Sequence, residues 1–345
     1  MDLRHFTNKG ITVCLLKHRG GQILNSIALV IATHDGTENL NKISSWITNQ
    51  KPWKGYLIVV GSGLTDYQVL EDVCRKEDIN FVFEKSLNCG LAKRNIGADL
   101  AKDLGHKYVT FLNDYQRLTP NALQDFELEN HGENVVFGNI EFDSVAGVTN
   151  PRISSLNVPL SNKSSNREVW GIFSSVSEAG MLIKLETFID FKGWQYPNLN
   201  GRTYLGGDGM LLTSRIFAAG GTFGYSSKYV VLGGHRNKSV TPEMAISKGA
   251  VYPYAFTISS KIHGVPWWIS IRFIIGRIAR AFEHALSFNF VDFKGTMPEI
   301  AARLRAYVGL KPSDNSRLLN EVFKYNCQSS DFYCAKQGAT KCKLG

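Results

Sequence analysis

Between residues 26 and 112, short apolar runs alternate with stretches of helical period, and this alternation limits the possible folds more than any other feature of the chain. "SIALVIAT" (26–33), "YLIVVGSG" (56–63), "INFVFE" (79–84) and "KYVTFL" (107–112) read as buried strands. After the first, Leu40, Ile43, Trp46 and Ile47 recur at helical spacing, and Thr37 is placed to cap that helix. "YQVLEDVCRKE" (67–77) and "GLAKRNIGADLAKDLG" (90–105) read as two further helices, the second stopped by Gly105. A βαβαβαβ order implies an α/β fold whose mainly parallel sheet is covered by helices. Such sheets bind ligands beyond the carboxyl ends of their strands. The turn Asn113-Asp114-Tyr115 lies at one of those ends, with one carboxylate where a metal site would want two.

The second half is less regular. "ENVVFGNIEF" (133–142) reads as a strand, and residues 143–168 as a long Ser/Asn-rich loop, a lid or a disordered segment. "AGMLIKLETFIDFKGW" (179–194) gives another element. "GGDGMLLTSRIFAAGG" (206–221) is a helix bracketed by glycines, and "TFGYSSKYVVLGGHRN" (222–237) is a strand ending in a polar turn. From about residue 250 the character changes. "VPWWISIRFIIGRIARAFEHAL" (265–286) is aromatic, aliphatic and basic, with no acidic residue before Glu283, and "MPEIAARLRAYVGL" (297–310) is a second basic helix. The expected organisation is a catalytic-type domain over 1–250, a basic helical extension over 251–325 and a flexible tail over 326–345.

With 345 residues, 43% hydrophobic and 20% charged, the chain can bury a sizeable core. Its net charge of +9 points to an anionic partner: nucleic acid, a phosphate-bearing small molecule or an anionic membrane. No nucleic-acid module accompanies the charge, so no nucleic-acid partner is expected. No apolar run approaches the ~20 residues that span a bilayer. "ITVCLL" followed by Lys17-His18-Arg19 is not a secretory signal. The expected location is cytoplasmic, with peripheral attachment to the inner face of the membrane left open. The six scattered cysteines form no CxxC pair and read as reduced thiols. There is no P-loop and no Gly-x-Ser-x-Gly elbow, and Gly61-Ser62-Gly63 is followed by Asp66 where a dinucleotide fingerprint wants glycine.

Taken in order, "ATHDGTENL", "NCGLAKRNIGADLAKDLGHKYVTFLND", "GGDGMLLTSRIFAAGG" and "GGHR" resemble the GT-A family-2 glycosyltransferases, nucleotide-sugar-dependent enzymes of the bacterial surface-polysaccharide type, across roughly residues 25–237. The second segment is similar to the family's Gly-x-x-x-x-Arg-Asn-x-Gly helix and the strand bearing its Asp-x-Asp motif. The third is similar to the helix that carries the catalytic base. The sequence departs from the family at two places. Val59-Val60-Gly61-Ser62 stands where an acidic pair usually reads the donor base, and Asn113-Asp114-Tyr115 replaces both outer carboxylates of the Asp-x-Asp motif.

The resemblance implies roles for named residues. Asp208 is the candidate base that deprotonates the acceptor hydroxyl, against a plainer role as a helix cap. Thr33, Asp35, Lys93, Arg94, Asp114, His235 and Arg236 are the candidate donor-binding residues, with Asp114 and His235 as candidate metal ligands. Mn2+ or Mg2+ is the implied cofactor, held by a degenerate motif; such ions can use one or two carboxylates plus substrate phosphates. Arg94 could equally sit on a solvated helix face, and His235 could be a ligand, a phosphate contact or a turn residue. The implied partners are a nucleotide-sugar donor and a glycan or lipid-linked glycan acceptor. Apart from the resemblance, the basic C-terminal helix with Trp267 and Trp268 reads either as a surface for an anionic membrane or as a helix packed on the catalytic domain with its arginines solvated. The implied reaction is inverting glycosyl transfer in surface-polysaccharide biosynthesis; the alternative is a non-catalytic GT-A domain that binds glycan or partner proteins.

Overall fold

The computed structural model describes residues 3–8, 11–16, 27–34, 36–86, 90–129, 131–142, 178–194, 198–199, 202–203, 207–233, 251–288 and 290–310. The chain divides into two compact units: one of Met1–Ser164, Ser175–Trp194 and Ala219–His235, the other of Ser165–Ser174, Gln195–Ala218 and Arg236–Gly345.

The first unit is built on β1 (Leu3–Asn8), β2 (Ile11–Leu16), β3 (Ile27–Ala32), β4 (Tyr56–Gly61), β5 (Asn80–Lys85), β6 (Tyr108–Asn113), β7 (Gln116–Leu118), β8 (Val135–Phe142), β9 (Met181–Lys184) and β12 (Phe223–Gly233). They form one sheet in the order β1-β2-β5-β4-β3-β6-β9-β8-β12-β7. The parallel pairing expected from the alternation holds for β5-β4-β3-β6. Outside that block, β2 pairs antiparallel to β5, and β9 runs antiparallel to both β6 and β8.

Helices α1 (Thr37–Ile47), α2 (Gln68–Lys76), α3 (Gly90–Asp103), α4 (Ala122–Leu128) and α5 (Leu185–Asp190) complete this unit. Leu40, Ile43 and Ile47 of α1 and Leu70 and Cys74 of α2 join Leu29, Ile31, Leu57, Val59, Phe81 and Phe83 in one core. The adjacent, oppositely pointing residues of β3 meet α3, because side chains alternate across a strand. There Gly97 lets the helix lie flat on the sheet: a Cβ at that position would stand 2.3 Å from Val30 Cγ1. Thr37 is not a cap. Gly36 holds the N-cap position of α1, and Thr37 Oγ1 instead accepts from Asp66 N at 2.9 Å, tying α1 to the loop before α2.

Residues 179–194, read as one element, divide into β9 and α5 because β9 ends its antiparallel pairing with β6 at Lys184 and the helix follows at once. The 143–168 stretch lies outside the described residues, as does the 326–345 tail.

The second unit contains the β10 (Asn198–Leu199) and β11 (Arg202–Thr203) ribbon, α6 (Asp208–Ala218), α7 (Tyr252–Ile262), α8 (Trp267–Leu286) and α9 (Phe290–Tyr307). Helix α9 starts before Met297 and carries Pro298 inside it. Helix α6 packs on α7 through a buried polar seam: Ser214 Oγ lies 2.6 Å from Ser259 Oγ and 3.0 Å from His263 Nε2. Burial holds the His263 imidazole neutral, its pKa pushed down to about 4. None of the described helices is long and apolar enough to cross a membrane.

Candidate functional site

The chain runs outward from β3 to β4 and β5, then returns through α3 to β6 on the other side of β3. The carboxyl ends of β3 and β6 therefore flank the point where strand order reverses, the place where open α/β sheets bind ligands. Their last paired residues are Ala32 and Asn113. The residues that follow, Thr33 and Asp114, meet directly: Thr33 Oγ1 donates to Asp114 Oδ2 at 2.7 Å. Thr33 is itself fixed to β4, its amide donating to Val60 O at 3.0 Å.

Room for this bond comes from Gly36. A Cβ there would stand 1.9 Å from Thr33 Oγ1 and 2.4 Å from Asp114 Oδ2. Sequence reasoning missed Gly36 as a site residue. The signal was present as a glycine four residues beyond the strand end, in a turn followed by a helix.

Helix α3 brings its first turns over the same two strand ends. Lys93 is wholly buried, and Nζ donates to Thr33 O at 2.6 Å and lies 3.2 Å from His34 Nδ1. Its ammonium thus anchors the turn that carries Thr33. Arg94, 3% exposed, donates from Nη2 to Asn113 Oδ1 at 2.6 Å. It is not a solvated surface residue; it sits beside the residue that replaces the first carboxylate of the Asp-x-Asp pattern. Tyr115, which replaces the last, accepts at its hydroxyl from Asn113 Nδ2 at 3.2 Å. Gln116 Oε1 accepts from Asn113 N at 2.8 Å and closes the turn. The three-residue turn is therefore a hydrogen-bonded unit with Asp114 as its one carboxylate.

Partial burial and the neighbouring Lys93 ammonium push the pKa of His34 down to about 4, only partly offset by Asp114. His34 is neutral at pH 7. Among the described residues no three His, Cys, Asp or Glu side chains gather as a protein-made metal cage. Asp114 accepts one hydrogen bond among them, at Oδ2. This donor set suits a hard cation held mostly by diphosphate oxygens and water, with a single protein carboxylate.

Strand β12 ends at Gly233, paired with Gln116 two residues beyond Asp114. His235 and Arg236 follow it in sequence; both, like Asp35, lie outside the described residues.

In the second unit, Asp208 opens α6 and is 6% exposed. Gly207 precedes it at φ +73°, a left-handed conformation natural to glycine, and a Cβ there would stand 2.5 Å from Ala255 Cβ of α7. The helix start is thereby seated on α7. The exposed N–H groups and dipole of a helix N-terminus favour a carboxylate in its first turn.

No family model matches the sequence, and no curated protein matches it. Solved structures do. TarS residues 1–349 from S. aureus matches with a TM-score of 0.53 at 12% identity, covering 88% of this chain and 93% of that one. The same protein in complex with UDP matches with a TM-score of 0.52 at 14% identity, covering 89% and 94%. Its complex with UDP-GlcNAc matches with a TM-score of 0.50 at 14% identity, covering 83% and 73%. TarS is a GT-A glycosyltransferase, and the likeness shows that this chain has the GT-A fold expected from its sequence.

Proposed function

We propose that the protein is an inverting glycosyltransferase that moves a sugar from a nucleotide-sugar donor to a glycan or lipid-linked glycan acceptor in surface-polysaccharide assembly. One observation carries this reading. The carboxylate of Asp114 is pinned by Thr33 at the switch point of a GT-A sheet, with Arg94 bonded to the adjacent Asn113. UDP and UDP-GlcNAc are the ligands of the TarS complexes, so UDP-sugars are the first donors to test.

In this reading Asp208 takes the proton of the acceptor hydroxyl as its oxygen attacks the anomeric carbon. The bond from that carbon to the diphosphate oxygen breaks, its electron pair stays on the diphosphate, and the configuration inverts. Asp114 and Arg94 hold the diphosphate end, and Lys93 keeps Thr33 in place to fix Asp114. Mn2+ or Mg2+, when bound at Asp114, supplies positive charge to the leaving diphosphate. His235 and Arg236 are further candidates for that end. A lipid-linked acceptor would put the reaction at the inner face of the cytoplasmic membrane.

The test is donor binding by calorimetry and sugar transfer by mass spectrometry, with manganese and with chelator, for the wild type and Asp208→Asn. The variant should bind donor normally and lose roughly 10²–10⁴-fold in turnover. Wild-type binding to glycan with no donor turnover, unchanged in Asp208→Asn, would instead establish the non-catalytic module. The replacement of two Asp-x-Asp carboxylates by Asn113 and Tyr115 is what favours that second reading.

A further inference from the structure

Helix α8 has two apolar faces, and only one is packed. Its inward face places Ile274 and Ala281 against Ile300 of α9, and Ile269 against Val265 with Phe256 beside them. The other face is a second stripe, Trp267, Ile271, Ile275, Ile278, Phe282 and Leu286, stepping by four or three residues along the whole helix. At 100° per residue these positions fall within about one third of the helix circumference. Most of the stripe is open: Trp267 is 62% exposed, Ile275 58%, Phe282 64% and Leu286 79%. Trp268, at the edge of the stripe, is 51% exposed. A continuous exposed apolar band of this length marks a binding surface.

The charges beside the stripe select its partner. Glu299 of α9 engages Arg277 at 2.8 Å and Arg303 at 3.0 Å, so those two arginines serve the fold. Arg272 and Arg280 make no ion pair among the described residues. They flank a groove of about 630 Å³ whose lining includes Trp268, Phe273 and Gly276. Nothing lies within 4 Å of where a Cβ of Gly276 would stand, so the space between the two guanidiniums is open. The only acidic side chain on the 20-residue helix is Glu283, near its end. A second copy of the chain docked on this face would bring like charges together. An anionic phospholipid surface would meet an apolar stripe, interfacial tryptophans and the Arg272 guanidinium at the edge beside Trp268, whereas Arg280, about 120° beyond that edge, faces away.

We propose that α8 lies in the headgroup layer of an anionic bilayer, its stripe against the acyl boundary and Arg272 on lipid phosphates. The helix is about 30 Å long and would lie along the membrane plane. The surface works this way whether or not the first unit transfers a sugar, so the two readings fail separately.

The experiment is flotation of the full chain with vesicles of one part phosphatidylglycerol to three parts phosphatidylcholine, and with pure phosphatidylcholine. The protein should float with the anionic vesicles and much less with the neutral ones. Arg272→Gln should lower the partition about 5-fold, and Arg280→Gln, on the side facing away, should leave it nearly unchanged. Ile275→Ser with Phe282→Ser should abolish binding at an unchanged melting temperature, since both side chains are exposed. No flotation with anionic vesicles would overturn the proposal. So would flotation indifferent to Arg272→Gln and to Ile275→Ser with Phe282→Ser, a loss with Arg280→Gln as large as with Arg272→Gln, or an oligomer in solution that only Ile275→Ser with Phe282→Ser dissolves, without vesicle binding.

Discussion

Gly36→Ala offers a direct test of the pinned carboxylate. The backbone of Gly36 is at φ −94°, which alanine adopts readily, so any cost is steric. The added methyl would stand 1.9 Å from Thr33 Oγ1, about 1.5 Å short of the 3.4 Å where ordinary contact begins, and 2.4 Å from Asp114 Oδ2. Both atoms are partners in one hydrogen bond, so the methyl has to break it or displace the start of α1. A hydrogen bond to a charged group contributes about 1.5–3 kcal/mol, and overpacking costs about 1–3 kcal/mol. The two overlap, because breaking the bond relieves the strain, and a loss of about 3 kcal/mol is expected. For a domain of this size that lowers Tm by roughly 6–12 °C.

The assay is thermal denaturation with calorimetric titration of UDP-GlcNAc. Gly90→Ala, at a site with nothing within 4 Å, is the control and should be neutral. Thr33→Ala removes the nearest atom and should partly rescue Gly36→Ala, giving a coupling of at least about 1 kcal/mol in a double-mutant cycle. Thr33→Ser keeps the oxygen and should not rescue. Additive effects of Gly36→Ala and Thr33→Ala, or a Gly36→Ala protein that melts and binds like wild type, would refute the reasoning.

Three other tests address groups whose titration the fold alters. In Lys93→Met the pKa of His34 should rise from about 4 toward 6.5 as the ammonium is removed, and stop short because burial remains; imidazole chemical shifts across pH 3–8 would read this out. Burial pushes the pKa of Glu127 up to about 7 even though its carboxylate accepts from Ile27 N. The folded state thus holds that proton more tightly than the unfolded one, and stability falls as pH rises from 4.5 to about 7. Glu127→Gln should be near neutral at pH 4.5 and stabilising by ~1–2 kcal/mol at pH 7.5 in urea melts, after discounting for partial exposure. His263 has the opposite sign: its folded pKa is lowered from 6.5 to about 4, so stability falls as pH drops through that window. His263→Gln should remove up to ~3 kcal/mol of that dependence. The two slopes oppose each other between pH 4.5 and 6.5, so the comparison must be each variant against wild type at every pH.

What the sequence could reveal depended on how local each cause is. The four parallel strands were legible because a strand buried on both faces must be apolar throughout, and β3 and β4 are. Their alternation with helices fixed the position of the ligand crevice, which singled out the turn carrying Asp114, while Thr33 came from the family resemblance. The roles of the two α3 cations were not legible. Neighbours in sequence, Lys93 and Arg94 look alike on paper, yet one reaches the carbonyl just beyond β3 and the other the side chain ending β6. That difference comes from the seating of α3 on the sheet, which in turn rests on Gly97 meeting Val30 across 67 positions of chain. The short β7, with three residues paired only to the distant β12, left no local pattern. Helix α8 shows the converse. Its sequence gave the full apolar circumference and the arginines, but only the packing of Ile274 and Ala281 on Ile300 divides that circumference into a face already used and a face still open. Both the site and the surface thus arise where residues with plain local patterns meet partners far away in the chain, and the substitutions most worth making are those at the points of meeting.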